Sequence, residues 1–238
     1  METKPSLGIL LLDTVFPRIP GDVGNIRSYD YPVIIKTVTG ATVQRVVYEA
    51  DASLLADFIA AARELDDQGV IAITSSCGFL SIFQAAVAKS VQVPVFLSSL
   101  LQVPLAHAMT QKMVGIITAH SDRLTEEVLT KAGINSQIPY AVGGLQNSPA
   151  FSNPILKDGR ELRRDAIEKD VVAIAKSLIN ANPNIGVFVF ECHNLAPYSQ
   201  AVQQATGLPV LDIVDFANWV YSAINKRSYP LPTQTSMP

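Results

Sequence analysis

Short apolar runs alternate with helical stretches along most of the chain. Apolar runs predict strands over residues 7–12, 43–48, 70–74, 93–97, 114–118, 137–142, 185–190 and 210–213. Apolar residues at helical spacing predict helices over residues 52–67, 80–89, 124–132, 159–181, 195–205 and 216–224. Because most of the strands are almost continuously apolar, the pattern predicts parallel sheet covered by helices on both faces, an α/β fold.

The composition is that of a globular protein with a large core. The chain has 238 residues, of which 48% are hydrophobic and 16% charged, enough for one large domain or two small ones. The net charge is −3 and the longest basic run is Lys226-Arg227, so no nucleic-acid or membrane partner is expected. The apolar run at residues 7–12 is too short to span a membrane and lacks a signal-peptide cleavage site, which predicts a cytoplasmic location.

Only two cysteines are present, Cys77 and Cys192. In a reducing compartment such cysteines are buried filler, metal ligands or reactive groups. No metal site is predicted, because only His193 among the three histidines lies beside a cysteine. Neither Gly-x-Gly-x-x-Gly after the first strand nor Gly-Lys-Ser/Thr occurs, so the two best phosphate-binding signatures are absent. No cofactor is expected, because chemistry by a pair of thiols needs none.

The two cysteines begin two matching segments, residues 77–95 and 192–210. In both segments a leucine follows the cysteine at three residues, an aromatic at six, Ala-Val at nine and ten, and Pro-Val at seventeen and eighteen. Each cysteine follows an apolar strand and precedes a helix, so both are predicted at carboxyl ends of parallel strands, where ligands bind. A lone cysteine after a strand is usually core filler, but equivalent positions in a repeat favour chemistry.

Two such thiols on opposite walls of a cleft can invert a carbon centre. One, as thiolate, removes a proton from Cα, and the other donates a proton to the opposite face. A helix N-terminus after each cysteine is expected to lower the pKa of its thiol toward the range of reactive cysteines. The alternatives for the pair are core packing, or a redox switch if the two sulfurs lie within disulfide reach.

With this strand order and cysteine pair the chain resembles, over most of its length, the cofactor-independent aspartate/glutamate/hydantoin racemase superfamily. The resemblance implies two similar Rossmann-like domains with parallel sheets, related by a pseudo-two-fold axis, with the active site between them. It implies a first domain of residues 1–101 with 210–238, which carries Cys77, and a second of residues 102–209, which carries Cys192. The last strand and helix return to the first domain in that family.

The resemblance also implies a PLP-independent racemase or epimerase. Its substrate would be a small, anionic, carboxylate-bearing compound, an amino acid or a derivative, with Cys77 and Cys192 as the catalytic pair. A homo-oligomer is also compatible with it. Two departures point to a less polar substrate: Gly78-Phe79 replaces the family's Asn-Thr, and Glu191-Cys192-His193-Asn194 replaces its Gly-Cys-Thr motif.

Further candidates lie beside the cysteines or at other strand ends. Asp13 and His193 are candidates for catalytic support, although a turn aspartate and a packed histidine explain them as well. The candidates for substrate binding are Thr14, Arg18, Ser75, Ser76, Gly78, Phe79, Thr118 and Asn194. For Ser75 and Ser76 helix capping is an equal alternative, and Arg18 also fits an exposed loop residue.

Other functions are compatible with the same fold. A cis–trans isomerase of the maleate isomerase type also uses two cysteines, one of them as a nucleophile. Arylmalonate decarboxylase uses one cysteine, which the presence of two argues against. A two-lobed ligand-binding protein without catalysis is the remaining alternative.

Overall fold

A computed structural model describes residues 4–226 and 228–229. It contains two four-stranded parallel sheets. The first has the order β2-β1-β3-β4 and is formed by β1 (Leu7–Leu12), β2 (Val33–Val38), β3 (Ile73–Ser75) and β4 (Val95–Phe96). The second has the order β6-β5-β7-β8 and is formed by β5 (Met113–Thr118), β6 (Tyr140–Gly144), β7 (Ile185–Phe190) and β8 (Val210–Leu211). The identical order confirms two α/β halves of the same topology.

Helices lie between the strands and after the last one. They are α1 (Leu55–Asp67), α2 (Gln84–Ala88), α3 (Val103–Thr110), α4 (Glu126–Lys131), α5 (Pro149–Phe151), α6 (Arg164–Ala181), α7 (Ser199–Thr206) and α8 (Ile213–Ile224). A 3₁₀-helix follows each cysteine, at Gly78–Phe83 and at His193–Tyr198. The short helices Ala52–Leu54, Ser99–Gln102, Ile26–Ser28 and Ser121–Arg123 are also 3₁₀, and Gln44–Tyr48 and Ser152–Leu156 are single π-helical turns.

The amphipathic helices cover sheets whose central strands are buried. All six residues of β7 are buried, as expected for a strand with helices on both faces. Helix α6 buries Ile167, Val171, Ala175 and Leu178, a stripe at helical spacing that packs against β5 and β6. Buried residues of both halves belong to one continuous apolar cluster, so the halves share a core.

Two helices cross between the halves. After β4, helix α3 packs against β5 and β7 of the second sheet. After β8, helix α8 packs against the first sheet, where Ile213 and Phe216 join a cluster with Leu7 and Ile9. The side chain of Gln102 donates to the carbonyl oxygen of Asp212 at 3.0 Å. This hydrogen bond connects the starts of the two helices, since Gln102 directly precedes α3 and Asp212 directly precedes α8.

The anticipated domain division placed the last strand, from residue 210, in the first domain, but the structure places it in the second sheet. Strand β8 pairs with β7 in the second sheet, and α8 alone returns to the first. The repeat accounts for this difference, because Pro209-Val210 is equivalent to Pro94-Val95 and β8 therefore takes the position of β4. Residues 1–3, 227 and 230–238, at the ends of the anticipated first domain, lie outside the described residues.

One predicted strand is wrong and one strand was missed. Residues 43–48 form a helical turn because Val43, Val46 and Val47 are spaced by three and four residues and point together into the core. The edge strand β2 was overlooked because its residues are only partly buried and show no clear alternation. Within the described part of the chain, no helix combines the length and apolarity needed to cross a membrane.

Candidate functional site

A cavity lies where the carboxyl ends of the central strands of both sheets meet. The space between its walls, including the part open to solvent, is about 380 Å³. Residues that follow β3 and β7 form its polar side, and they include both cysteines. The apolar side is lined by Leu12, Phe16, Val43, Val47, Phe79, Ala119, Ile155 and Leu156. The site lies where ligands bind in open parallel sheets, as the repeat predicted.

The two thiols occupy equivalent positions in this cavity. Cys77 directly precedes the 3₁₀-helix after β3, and Cys192 directly precedes the 3₁₀-helix after β7. Both thiols are free, with 8% of Cys77 and 6% of Cys192 exposed. The thiol of Cys192 lies 3.7 Å from the side-chain oxygen of Asn194 and can donate to it. The fold thus brings together from two halves the only cysteines of the chain.

The thiols are not activated in the way that their helix positions suggested. Burial raises the pKa of the Cys77 thiol far above its ordinary value, and the nearby Glu191 carboxylate raises it further. The backbone N–H groups of Phe79 and Leu80 lower that pKa by less. Burial and Glu191 likewise raise the pKa of Cys192. The expectation of a lowered thiol pKa is therefore wrong, because desolvation outweighs the helix N-terminus.

A buried carboxyl group lies close to both thiols. Glu191 has no exposed surface, and its Oε2 accepts a hydrogen bond of 2.6 Å from the hydroxyl of Thr118. Its Oε1 has no partner among the described residues. Burial raises the pKa of Glu191 to about 7, although the hydrogen bonds from Thr118 and the Ala119 backbone oppose the rise. Glu191 can therefore change its charge near neutral pH.

Gly78 gives Glu191 the room that it occupies. A Cβ atom on Gly78 would collide with the carbonyl oxygen of Glu191 and would lie 2.5 Å from its Oε1. Any side chain at position 78 would therefore displace the residue that precedes the second cysteine. Gly78 and Glu191, which both depart from the racemase motifs, are therefore in direct contact, and the glycine is required by the position of the glutamate.

His193 holds the two cysteine loops together. Its Nε2 accepts a hydrogen bond from the backbone N–H of Ser99 at 3.1 Å, so its Nδ1 carries the proton and donates to the carbonyl oxygen of Ser75 at 2.8 Å. Burial lowers the pKa of the imidazole to about 3. This geometry does not support the proton-partner role expected for His193, because both ring nitrogens contact backbone groups and the ring stays neutral.

The arginine of the cavity is already paired. The guanidinium of Arg18 lies 3.0 Å from Asp22 Oδ1 and 3.0 Å from the hydroxyl of Thr14, with 12% of the side chain exposed. Asp22 also accepts a hydrogen bond of 2.8 Å from Asn194. This chain of contacts connects the loop after β1 to the loop that carries Cys192. Arg18 lies in the cavity wall rather than in an exposed loop.

The remaining candidates divide into cavity residues and supporting residues. Ser76, Gly78, Phe79 and Asn194 line the cavity. Thr14, Ser75 and Thr118 lie behind the wall: Thr14 holds Arg18, Ser75 Oγ donates to the carbonyl oxygen of Leu97, and Thr118 holds Glu191.

Asp13 does not belong to the site. Its side chain is exposed and accepts a hydrogen bond from Gly40, which closes the turn after β2. The structure places Asp13 in this turn, the alternative to the catalytic support expected of it. Among residues 4–226 and 228–229, no group of three or more His, Cys, Asp or Glu side chains is arranged to hold a metal ion.

The sequence interpretation missed Glu191 as a site residue. The sequence feature that could have identified Glu191 is a charged residue directly after the apolar strand β7 and directly before a candidate cysteine. It also missed the apolar wall formed by the two π-helical turns, which contribute Val47 and Ile155. No local motif marks these turns as site residues, since they reach the cavity only through the fold.

Solved structures identify the class of this fold. Arylmalonate decarboxylase superposes with a TM-score of 0.65 at 16% identity, over 94% of each chain. Allantoin racemase from Klebsiella pneumoniae superposes with a TM-score of 0.61 at 14% identity, over 96% of this chain and 97% of that one. The fold is the two-domain α/β fold of these racemases and decarboxylases. No family model matches the sequence.

Relatives in sequence carry a different enzyme name. A dimethylsulfoniopropionate lyase of Durusdinium sp. clade D is 32% identical over 222 residues, which cover 90% of this chain and 73% of that protein. Dimethylsulfoniopropionate lyase 3 of Emiliania huxleyi is 32% identical over 233 residues, which cover 92% of this chain. The chain spans 60% of the length of that relative. The chain belongs to the dimethylsulfoniopropionate lyase family, a family of enzymes.

Proposed function

We propose that the chain is a lyase that cleaves dimethylsulfoniopropionate, or a closely related 3-sulfoniopropionate, into a dialkyl sulfide and acrylate. The observation that carries the proposal is the pair of buried thiols in one small, largely apolar cavity. Membership of the lyase family supports the same reaction. A racemase that removes a proton next to a carboxylate and this lyase share their first step, which accounts for the shared fold.

The elimination needs one base and no cofactor. A thiolate takes a proton from the carbon next to the carboxylate, and the electrons of that C–H bond form the new double bond. The carbon–sulfur bond breaks, and its electrons leave with the neutral sulfide. The products are a dialkyl sulfide, acrylate and a thiol, which returns its proton to solvent. A positioned base of this kind contributes about 10²–10⁴-fold to the rate.

Several groups of the cavity suit this reaction. Burial and the Glu191 carboxylate oppose ionisation of Cys77, whereas the N–H groups of Phe79 and Leu80 and the nearby Arg18 favour its thiolate. The hydroxyl of Ser76 accepts from the Leu12 backbone at 2.9 Å and donates to no other described residue. That hydroxyl can therefore donate to the substrate carboxylate, where negative charge grows as the proton leaves.

Purified protein incubated with dimethylsulfoniopropionate tests this function. Headspace gas chromatography would detect dimethyl sulfide, and liquid chromatography would detect acrylate in equal amount. We expect turnover by the unaltered protein and a loss of about 10²–10⁴-fold in at least one of Cys77→Ser and Cys192→Ser. Absence of both products, or full activity in both variants, would refute the lyase proposal. Thermal unfolding of each variant controls for loss of the fold.

The second candidate function is a racemase or epimerase. It is favoured by one observation, that each half contributes one thiol to the same cavity. A two-base inversion needs both thiols in every turnover, whereas elimination needs one base. Incubation of amino acids, hydantoins and 2-substituted acids in deuterium oxide separates the two functions. Deuterium at Cα together with inversion would support the racemase, and acrylate without inversion would support the lyase.

A further inference from the structure

The unpartnered oxygen of Glu191 is an unusual feature of this cavity. A buried carboxylate oxygen without a hydrogen bond destabilises a protein, since it has lost its water and gained nothing in return. Oε2 is held by Thr118, but Oε1 has no described partner, and the side chain forms part of the cavity wall. A group of a bound ligand can therefore be the partner of this oxygen.

The charges around the cavity indicate the sign of that partner. Arg18 and Asp22 form an ion pair at 3.0 Å and offset each other. His193 is neutral because Ser99 and Ser75 occupy both ring nitrogens. Burial raises the pKa of Glu191 to about 7, so above that pH its carboxylate is the unbalanced, negative charge of the cavity wall. A ligand with only a carboxylate would meet repulsion here, whereas a ligand that also carries a positive group would not.

The neighbours of Glu191 indicate the type of cation. Phe79 lines the cavity beside Gly78, and Ile155 and Leu156 contribute apolar surface from the π-helical turn. An ammonium group with N–H bonds would need several acceptors, and the side chains of Phe79, Ile155 and Leu156 offer none. Methylated sulfonium and quaternary ammonium groups have no N–H donors, and they bind well beside aromatic faces and a carboxylate.

We propose that Glu191 is the specificity-determining residue of the site and binds the methylated cationic group of a zwitterionic substrate. The identity of the substrate rests on the proposed lyase function, but the charge preference does not. Thr118 and Gly78 are its positioning residues: Thr118 fixes one carboxylate oxygen, and Gly78 leaves the space that the other oxygen occupies.

Two ligands of the same shape test the proposal without turnover. 3-(Trimethylammonio)propionate and 4,4-dimethylpentanoate share a carboxylate and a three-methyl head, and only the first carries a positive charge. We expect isothermal titration calorimetry at pH 8 to show about tenfold or more tighter binding of the cationic ligand to the unaltered protein. Glu191→Gln should bring the ratio of the two dissociation constants close to one.

The matched control is Asp212→Asn, a second buried carboxyl outside the cavity that caps helix α8. Asparagine also caps helices, so this variant should keep the ratio of the unaltered protein. Equal affinity of the unaltered protein for both ligands, or an unchanged ratio in Glu191→Gln, would overturn the proposal. If Glu191→Gln does not fold, the comparison in the unaltered protein still decides. Charge preference without acrylate formation would refute the lyase function alone, and acrylate formation without charge preference would refute the role of Glu191 alone.

Discussion

The imidazole of His193 joins the second cysteine loop to the end of strand β3, where its Nδ1 donates to the carbonyl oxygen of Ser75 at 2.8 Å. Ser75 and His193 are separated by 118 residues in the chain. Each lies close to one cysteine in sequence, Ser75 to Cys77 and His193 to Cys192. One side chain therefore fixes the distance between the two loops that carry the thiols.

Replacement of His193 by alanine should destabilise the protein. The Ser99 N–H and the Ser75 carbonyl would both lose a buried hydrogen-bond partner, at a cost of about 1–3 kcal/mol each. Urea unfolding at pH 8 would measure the change in the free energy of unfolding. His107→Ala serves as a control, because His107 on α3 is only partly buried and contacts one backbone group, the carbonyl oxygen of Lys112 at 2.8 Å. Equal stability of the two variants would contradict the bridging role.

The same histidine should make the stability depend on pH. Its pKa is about 3 in the folded protein and near 6.5 in the unfolded chain, so the unfolded chain takes up a proton first as the pH falls. The stabilising contribution is complete above about pH 6.5 and is lost progressively toward pH 3. Urea unfolding from pH 7.5 to pH 4.5 should show this loss, and His193→Ala should show a smaller one. An equal slope in both proteins would count against a neutral buried imidazole.

Gly78→Ala should weaken binding of the cationic ligand, beyond any effect of its loss of stability. The added Cβ would displace the backbone and carboxyl group of Glu191 beside Cys192, at about the 1–3 kcal/mol typical of overpacking. Gly207→Ala is the control, because Gly207 has open space but a φ of +69°, which costs a side chain about 1–2 kcal/mol. Both variants should lose stability, and only Gly78→Ala should also weaken binding of the cationic ligand. Equal binding by both would argue against the close contact.

Both thiols should react slowly with iodoacetamide in the native protein at pH 7.5. Burial raises the pKa of both, and the charge of Glu191 raises it further. Glu191→Gln removes that charge and should speed alkylation several-fold at pH 8, whereas Asp212→Asn should not. Mass spectrometry of each cysteine peptide over time would give the rates. Rapid alkylation of both thiols at pH 7 would contradict the raised pKa values.

Glu191→Gln should also gain stability relative to the unaltered protein as the pH rises. The pKa of Glu191 is raised from 4.5 to about 7 in the folded state, so its contribution to stability is fully present below pH 4.5 and is lost as the pH rises through 7. The difference in unfolding free energy between the two proteins should therefore shift in favour of the variant between pH 5 and pH 8. Urea unfolding at both pH values would measure this shift. A constant difference would mean that Glu191 does not titrate in this range.

The sequence by itself determined the fold class, most of the elements and the cysteine pair. Central strands such as β7 are buried on both faces, so their apolar runs are visible without knowledge of the neighbours. The equal spacing from each cysteine to Pro-Val marked the repeat, because equivalent positions in two halves face equivalent surroundings. The repeat also indicates that β8 pairs with β7, as β4 pairs with β3, whereas the family resemblance predicted its return to the first domain.

Only the tertiary structure decided the electrostatics of the site. The pKa of a thiol depends on how much water surrounds it, and the burial of Cys77 and Cys192 comes from segments far away in the chain. The neutral state of His193 depends on Ser75 and Ser99, and the space for Glu191 depends on the missing side chain at Gly78. Local patterns predict which residues lie near a strand end, but the charge that each carries depends on contacts between residues distant in sequence.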